Sequence, residues 1–132
     1  MFSGDGSLAL TASADMTAKI WDPSTGACKQ TLFGHANWLS SATFSADGSA
    51  VITASRDGTA KIWSCSTGSC KQTFSGHADV VMSAIVSGDG FSVLTISAEQ
   101  TAKIWDCSTA ACKQTLCGHT DLVRSAVFSA SY

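Results

Sequence analysis

Short apolar runs rich in Val, Ile, Ala and Thr alternate with polar breaks built from Gly, Ser, Asp and Thr along the whole chain. Within residues 44–85 the runs are Ala50-Val51-Ile52-Thr53-Ala54-Ser55, Thr59-Ala60-Lys61-Ile62-Trp63, Ser69–Phe74 and Val80–Val86. The breaks between them are Arg56-Asp57-Gly58, Ser64-Cys65-Ser66-Thr67-Gly68 and Ser75-Gly76-His77-Ala78-Asp79, and Ser87-Gly88-Asp89-Gly90 closes the last run. Runs of this length and composition, bounded by Gly and Asp, read as β-strands, and Asp-Gly is a hairpin signal. No segment carries a helix signal. The runs are apolar at successive positions more often than they alternate, which predicts strands covered on both faces.

The pattern repeats. Gly-His falls at Gly34-His35, Gly76-His77 and Gly118-His119, Lys-Ile-Trp at 19–21, 61–63 and 103–105, and Cys-Lys-Gln-Thr at 28–31, 70–73 and 112–115. Each column recurs after 42 residues without insertion or deletion. The first two copies agree at about 26 of 42 positions and the second and third at about 24. A fixed period of this length predicts an all-β fold of propeller blades, each of four antiparallel strands. The whole of residues 1–132 reads as one repeat region, with units 2–43, 44–85 and 86–127 and a partial fourth from Phe128.

The phrase Phe-Ser-x-Asp-Gly-Ser, then Thr-Ala-Ser-x-Asp-x-Thr-Ala-Lys-Ile-Trp-Asp, then Gly-His closely resembles the WD-repeat (β-transducin repeat) propellers, over the whole chain. The resemblance implies a hydrogen-bonded tetrad inside each blade. One blade would use His35, Thr53 or Ser55, Asp57 and Trp63. The next would use His77, Thr95 or Ser97, Glu99 and Trp105. The chemistry is reasonable on its own terms: a buried indole N–H, a hydroxyl and an imidazole each need partners, and a carboxylate fixes the histidine tautomer. Glu99 departs from the family's Asp, in a turn where Gln100 replaces Gly58, so that tetrad is expected to be loosened or missing. Ser64 also departs, standing in the column of Asp22 and Asp106.

Counting strands along the units gives three, four, four and one. Closed propellers have roughly four to eight blades, so three cannot make a ring. Two resolutions stay open. In one, two chains assemble head to tail as a homodimer, each His119–Phe128 strand completing the partner's first blade in a six-bladed ring. In the other, the chain is part of a longer propeller, as Ser131-Tyr132 in place of Asp-Gly suggests.

Net charge is −2, and the six lysines fall in two columns, Lys19/Lys61/Lys103 and Lys29/Lys71/Lys113, that read as solvent-facing strand positions. With no basic patch, nucleic acid is not the expected partner. No apolar stretch reaches membrane-spanning length and the first residues carry no signal-peptide pattern, so the expectation is no membrane and a cytoplasmic or nuclear site. Cys28, Cys70 and Cys112 share one column, Cys65 and Cys107 another, and Cys117 stands alone. Without a Cys/His cluster no metal site is expected, and the thiols read as reduced, although Cys65/Cys70 and Cys107/Cys112 flank turns they could bridge. Asp5, Asp47 and Asp89 sit in Asp-Gly turns. No nucleophile–base set and no phosphate loop appears, so the chain reads as non-enzymatic and without a cofactor.

Among the loop positions, the repeats disagree most at Asn37/Asp79/Asp121, Trp38/Val80/Leu122, Ser40/Met82/Arg124 and Ala14/Arg56/Ala98. In the family resembled, the loops holding the His and the tetrad Asp lie on one face, which is a common binding site. The resemblance therefore implies a scaffold that binds a protein or peptide partner, with Trp38, Arg56, Asn37, Asp79, Asp121 and Arg124 as candidate contacts, since aromatics and Arg dominate interface hot spots. Trp38 reads equally well as filler between strands. The competing reading is a purely structural segment of a larger propeller with no ligand of its own.

Overall fold

The computed structural model describes residues 1–119, 123 and 126–129. It contains β1 (Ala9–Ala12), β2 (Thr17–Trp21), β3 (Cys28–Phe33), β4 (Leu39–Phe44), β5 (Ala50–Ser55), β6 (Thr59–Ser64), β7 (Cys70–Ser75), β8 (Val81–Val86), β9 (Ser92–Ser97), β10 (Thr101–Asp106) and β11 (Cys112–Leu116). These make three antiparallel sheets, β1-β2-β3, β4-β5-β6-β7 and β8-β9-β10-β11, as expected for WD-repeat blades. Of the strand predicted at His119–Phe128, residues 120–122, 124 and 125 lie outside the described residues and the other five are in no strand; Asp121, Leu122, Arg124 and Ser131-Tyr132 fall outside the described residues too. In the first sheet, Phe2 makes an isolated bridge to Ala9, the register that joins Phe44 to Val51 and Val86 to Val93 in the others.

The core lies between the sheets. One cluster packs Leu10, Ala18, Ile20 and Leu32 of the first sheet against Val51 and Trp63 of the second. The other packs Ile52, Ala54, Ala60, Ile62 and Phe74 of the second against Val81, Ala84, Val93 and Trp105 of the third. The second strand of a full sheet therefore has both faces covered, and β5 is buried along its whole length. This accounts for its unbroken apolar run. The outer strands β3, β7 and β11 are mostly exposed and carry the Lys29, Lys71 and Lys113 column.

Two irregularities recur. On the first strand of a sheet, Leu39 pairs with Ser55 but Ser41 with Ala54, leaving Ser40 as an extra residue; Met82 is its counterpart in β8. On the outer strand the register slips at Lys71, which falls between the pairs Trp63–Cys70 and Ile62–Gln72. A bulge adds one residue and re-aims its side chain.

Candidate partner-binding face

The loops at one end of the second sheet are fixed by a chain of hydrogen bonds. Trp63 Nε1 donates to Thr53 Oγ1 at 2.9 Å. Thr53 Oγ1 lies 2.6 Å from His35 Nε2, and His35 Nδ1 lies 2.9 Å from Asp57 Oδ2. Asp57 also accepts from the Ala36 N–H at 3.0 Å and, through its other oxygen, from the Thr59 N–H and hydroxyl at 2.8 and 2.6 Å. Burial opposes ionisation of Asp57, but these bonds from Thr59, His35 and Ala36 outweigh it and hold the carboxyl at about 2. Burial pushes His35 below its ordinary value more strongly than Asp57 draws it up. The ring is therefore neutral near pH 7 with Nδ1–H facing the carboxylate, which leaves Nε2 to accept from Thr53.

Thr53, not Ser55, joins His35 and Trp63. Ser55 Oγ instead donates to the Trp38 carbonyl at 3.0 Å and accepts from the Asp57 N–H at 3.1 Å. The Arg56 N–H donates to the same carbonyl at 2.9 Å. Sequence reasoning did not single out Thr59. Its signal was available, since a hydroxyl two residues after an Asp completes an Asx-type turn.

The third sheet builds the same set. His77 Nδ1 bonds Glu99, His77 Nε2 lies 2.6 Å from Thr95 Oγ1, and Trp105 Nε1 donates to Thr95 at 2.9 Å. The tetrad expected to be loosened or missing is thus complete from Trp105 to Glu99. The longer carboxylate still accepts from the Ala78 N–H at 3.1 Å, and Gln100 takes the left-handed φ of 71° that Gly58 takes at 86°. The cost falls one step further on, where Thr101 Oγ1 is buried with no hydrogen-bond partner. Gly76, at φ 141°, lies where a Cβ would come within 3.2 Å of the Trp105 ring, which explains a glycine before this histidine.

Above the tetrads the variable columns converge. Ala14, Arg56 and Ala98 come from the second turn of each sheet, Trp38 and Val80 from the loop before the first strand, and Ser40 and Met82 from the bulges. Together with Leu39 they line one groove of about 570 Å³. Trp38 is 49% exposed, and the Arg56 guanidinium lies over its ring, 5.0 Å from the centroid. Asn37 and Asp79 are tied back to the next backbone N–H, at 2.8 and 2.7 Å, and neither lines the groove. The bulges at Ser40 and Met82 had no sequence signal, because no glycine marks them.

The six cysteines are free thiols, with Cys65 and Cys107 half-buried and the rest exposed. Among the described residues no three His, Cys, Asp or Glu side chains converge as a metal set. Asp47 Oδ1 accepts from the hydroxyls of Ser45 and Ser49 and from the Ser49 N–H, which is turn geometry.

The family model described as WD domain, G-beta repeat matches the chain three times, over residues 1–22, 26–64 and 68–106. A stretch of 34 residues is 50% identical to Nuclear distribution protein PAC1 of Gibberella zeae, covering 26% of this chain and 7% of that protein. A stretch of 34 residues is 53% identical to the Lissencephaly-1 homolog of Heterostelium pallidum, covering 26% of this chain and 8% of that protein. The matched stretch thus spans less than a tenth of either relative's length.

Proposed function

This chain belongs to the WD-repeat family, and we propose that it is a non-enzymatic platform that binds a protein or peptide partner through the groove at Trp38, Arg56 and Met82. The observation that carries this reading is the convergence of the variable columns. The repeats also differ in strands (Leu32/Phe74), in the tetrads (Asp57/Glu99) and in other turns (Pro23/Cys65, Ser49/Phe91), but one group of differing columns meets around an exposed aromatic stacked on an arginine. Here Trp38/Val80, Ser40/Met82 and Ala14/Arg56/Ala98 all line the same groove.

The tetrads serve that surface. Asp57 is anchored to His35, and Arg56, its neighbour, bonds the Trp38 carbonyl. The loop bearing Trp38 and the turn bearing Arg56 are therefore held in register before any partner arrives, which reduces the ordering cost of binding. The groove offers apolar contact from Trp38, Leu39, Val80 and Met82 with one cation at its rim. Its complement is a segment with an apolar side chain beside a carboxylate, since Arg pairs bidentately with carboxylates.

Selection of peptides from a displayed random library against the immobilised chain tests this. The expected peptides carry the apolar–acidic pairing, lose binding to Trp38→Ala and Arg56→Ala, and keep binding to Phe33→Ala, an exposed residue away from the groove. Peptides that bind Trp38→Ala and Arg56→Ala as well as the parent chain would overturn the assignment.

A further inference from the structure

Neighbouring sheets leave a furrow between them at the end away from the tetrads. There the turn joining β4 to β5 is tied to the turn after β6, Cys65 N–H to the Ser49 carbonyl, and the turn joining β8 to β9 to the turn after β10, Cys107 N–H to the Phe91 carbonyl. A glutamine crosses each furrow: Gln30 Nε2 donates to the Ser66 carbonyl at 2.9 Å, and Gln72 Nε2 to the Ser108 carbonyl at 2.7 Å. The two furrows differ in their floors. In the first, Leu8 lines a cavity of about 420 Å³. In the second, the same column holds Ala50, and the cavity, lined also by Ile62 and Val86, reaches about 530 Å³. Every residue lining the second cavity lies between Ser45 and Cys107, on two complete four-stranded sheets.

The second cavity is also charged. Asp47 and Asp89 both line it. The Ser49 N–H and the Ser45 and Ser49 hydroxyls bond Asp47 Oδ1 and hold that carboxyl at about 2. The Ser87 hydroxyl and the Phe91 N–H bond Asp89 Oδ1 and hold it below its ordinary value. Both are therefore ionised at neutral pH, and each leaves its Oδ2 without a hydrogen bond among the described residues. Lys71 lines the same cavity. Its counterpart Lys113 also favours the Asp89 charge, but the Lys113 ammonium is engaged by Ser92 Oγ at 2.8 Å. Ala50 stands in the Ser92 column and offers Lys71 no such hydroxyl. Two carboxylates against the one lining ammonium leave a negative charge unmatched.

We propose that the second furrow is a binding site for a small apolar amine, whose hydrocarbon part fills the space beside Ala50, Ile62 and Val86 and whose ammonium group meets the free oxygens of Asp47 and Asp89. The volume suits a small molecule, since ligand sites of about 300–1,000 Å³ combine apolar walls with a few placed polar groups. The Gln72–Ser108 bond spans the furrow and bounds the site, which favours a compact ligand over an extended chain. The sign of the ligand follows from the unmatched negative charge. The site lies at the other end of the sheets from the groove at Trp38 and is independent of it.

Cys107 lines this cavity and is half-buried, so it reports occupancy. The test follows its reaction with a chromogenic disulfide in the Cys65→Ser chain, where it is the half-buried thiol that remains. Phenylbutylammonium at millimolar concentration is expected to slow that reaction, and phenylbutyrate is not. Asp47→Asn and Asp89→Asn keep an acceptor in each turn, and each should weaken the protection about two- to fivefold, the worth of a solvent-facing ion pair. Lys71→Gln should strengthen it by a similar factor. Ala50→Leu gives the second furrow the side chain that Leu8 gives the first, and it should abolish protection with far-UV circular dichroism unchanged. Trp38→Ala should leave protection intact. No protection by phenylbutylammonium, equal protection by phenylbutyrate, protection that survives Ala50→Leu or both Asn variants, or protection lost with Trp38→Ala would each overturn the proposal.

Discussion

Thr101 shares a turn with Glu99 and its hydroxyl helps hold that carboxyl below its ordinary value, yet Thr101 Oγ1 is buried without a well-formed hydrogen bond among the described residues, while Thr59 Oγ1, in the same column, donates to Asp57 at 2.6 Å. A buried hydroxyl left unpaired costs about 1–3 kcal/mol. Glu99→Asp should therefore stabilise the chain by about 1 kcal/mol. The urea midpoint reports it, and a variant no more stable than the parent would show that Thr101 carries no such cost.

Trp63 and Trp105 are equivalent in burial and in their 2.9 Å bonds to Thr53 and Thr95. Replacing either by Phe keeps most of the ring and deletes the only donor. Each change should cost about 1–2 kcal/mol, the worth of a buried hydrogen bond and its orphaned acceptor. A much smaller loss at Trp105 than at Trp63 would mean that the Glu99 tetrad does not hold its sheet as the Asp57 tetrad does.

Acid should unfold the chain in two stages. Burial holds His35 and His77 below their ordinary 6.5. As pH falls through 6.5 the unfolded chain takes up protons that the folded chain refuses, so stability declines from there. Asp57 sits at about 2, against its ordinary 3.8. Its contribution is present above 3.8 and is lost as pH drops from 3.8 towards 2. Urea midpoints against pH should show both declines, and His35→Gln should shrink the upper one. A midpoint that stays level from pH 7 to 5 would contradict the histidine assignment.

The thiols should fall into two kinetic classes. Burial pushes Cys65 and Cys107 above their ordinary value of 9.0. Cys28, Cys70, Cys112 and Cys117 are exposed. Because the thiolate is the nucleophile, titration with a chromogenic disulfide should give a fast phase of four thiols and a slow phase of two. Uniform reactivity of all six would mean that the furrows between sheets open freely.

Trp38 and Arg56 should separate stability from binding. Their stacking is solvent-exposed and worth about 0.5–1 kcal/mol. Arg56→Ala should therefore move the urea midpoint little, while weakening a selected peptide by tenfold or more, as interface anchors do. Equal losses in both measurements would make Arg56 a structural residue.

Much of this was legible because the chain repeats itself. The run Ala50–Ser55 is strand β5 to the residue, and the histidine, carboxylate and tryptophan columns stand out at 42-residue spacing. Thr53 and Ser55 could not be told apart, since both lie on one face of the strand and only the approach of the His35 loop selects between them. Glu99 was expected to loosen its tetrad. The turn keeps its left-handed backbone at Gln100 as at Gly58, and the consequence surfaces at Thr101, a residue whose own identity never changes. The role of the Gln30 and Gln72 column was hidden as well, because it depends on where the neighbouring sheet comes to rest.

The glutamine ties between sheets also bear on how such a chain grows. Each tie falls in the same column of its period, Gln30 to the Ser66 carbonyl and Gln72 to the Ser108 carbonyl. A stretch of 42 residues duplicated in place would arrive already fitted to the units on either side, with no contact left to be selected. Length can then change by whole units in a single genetic event. What limits the outcome is the curvature of the stack, and loop residues such as Trp38 and Arg56 are left free to diverge afterwards.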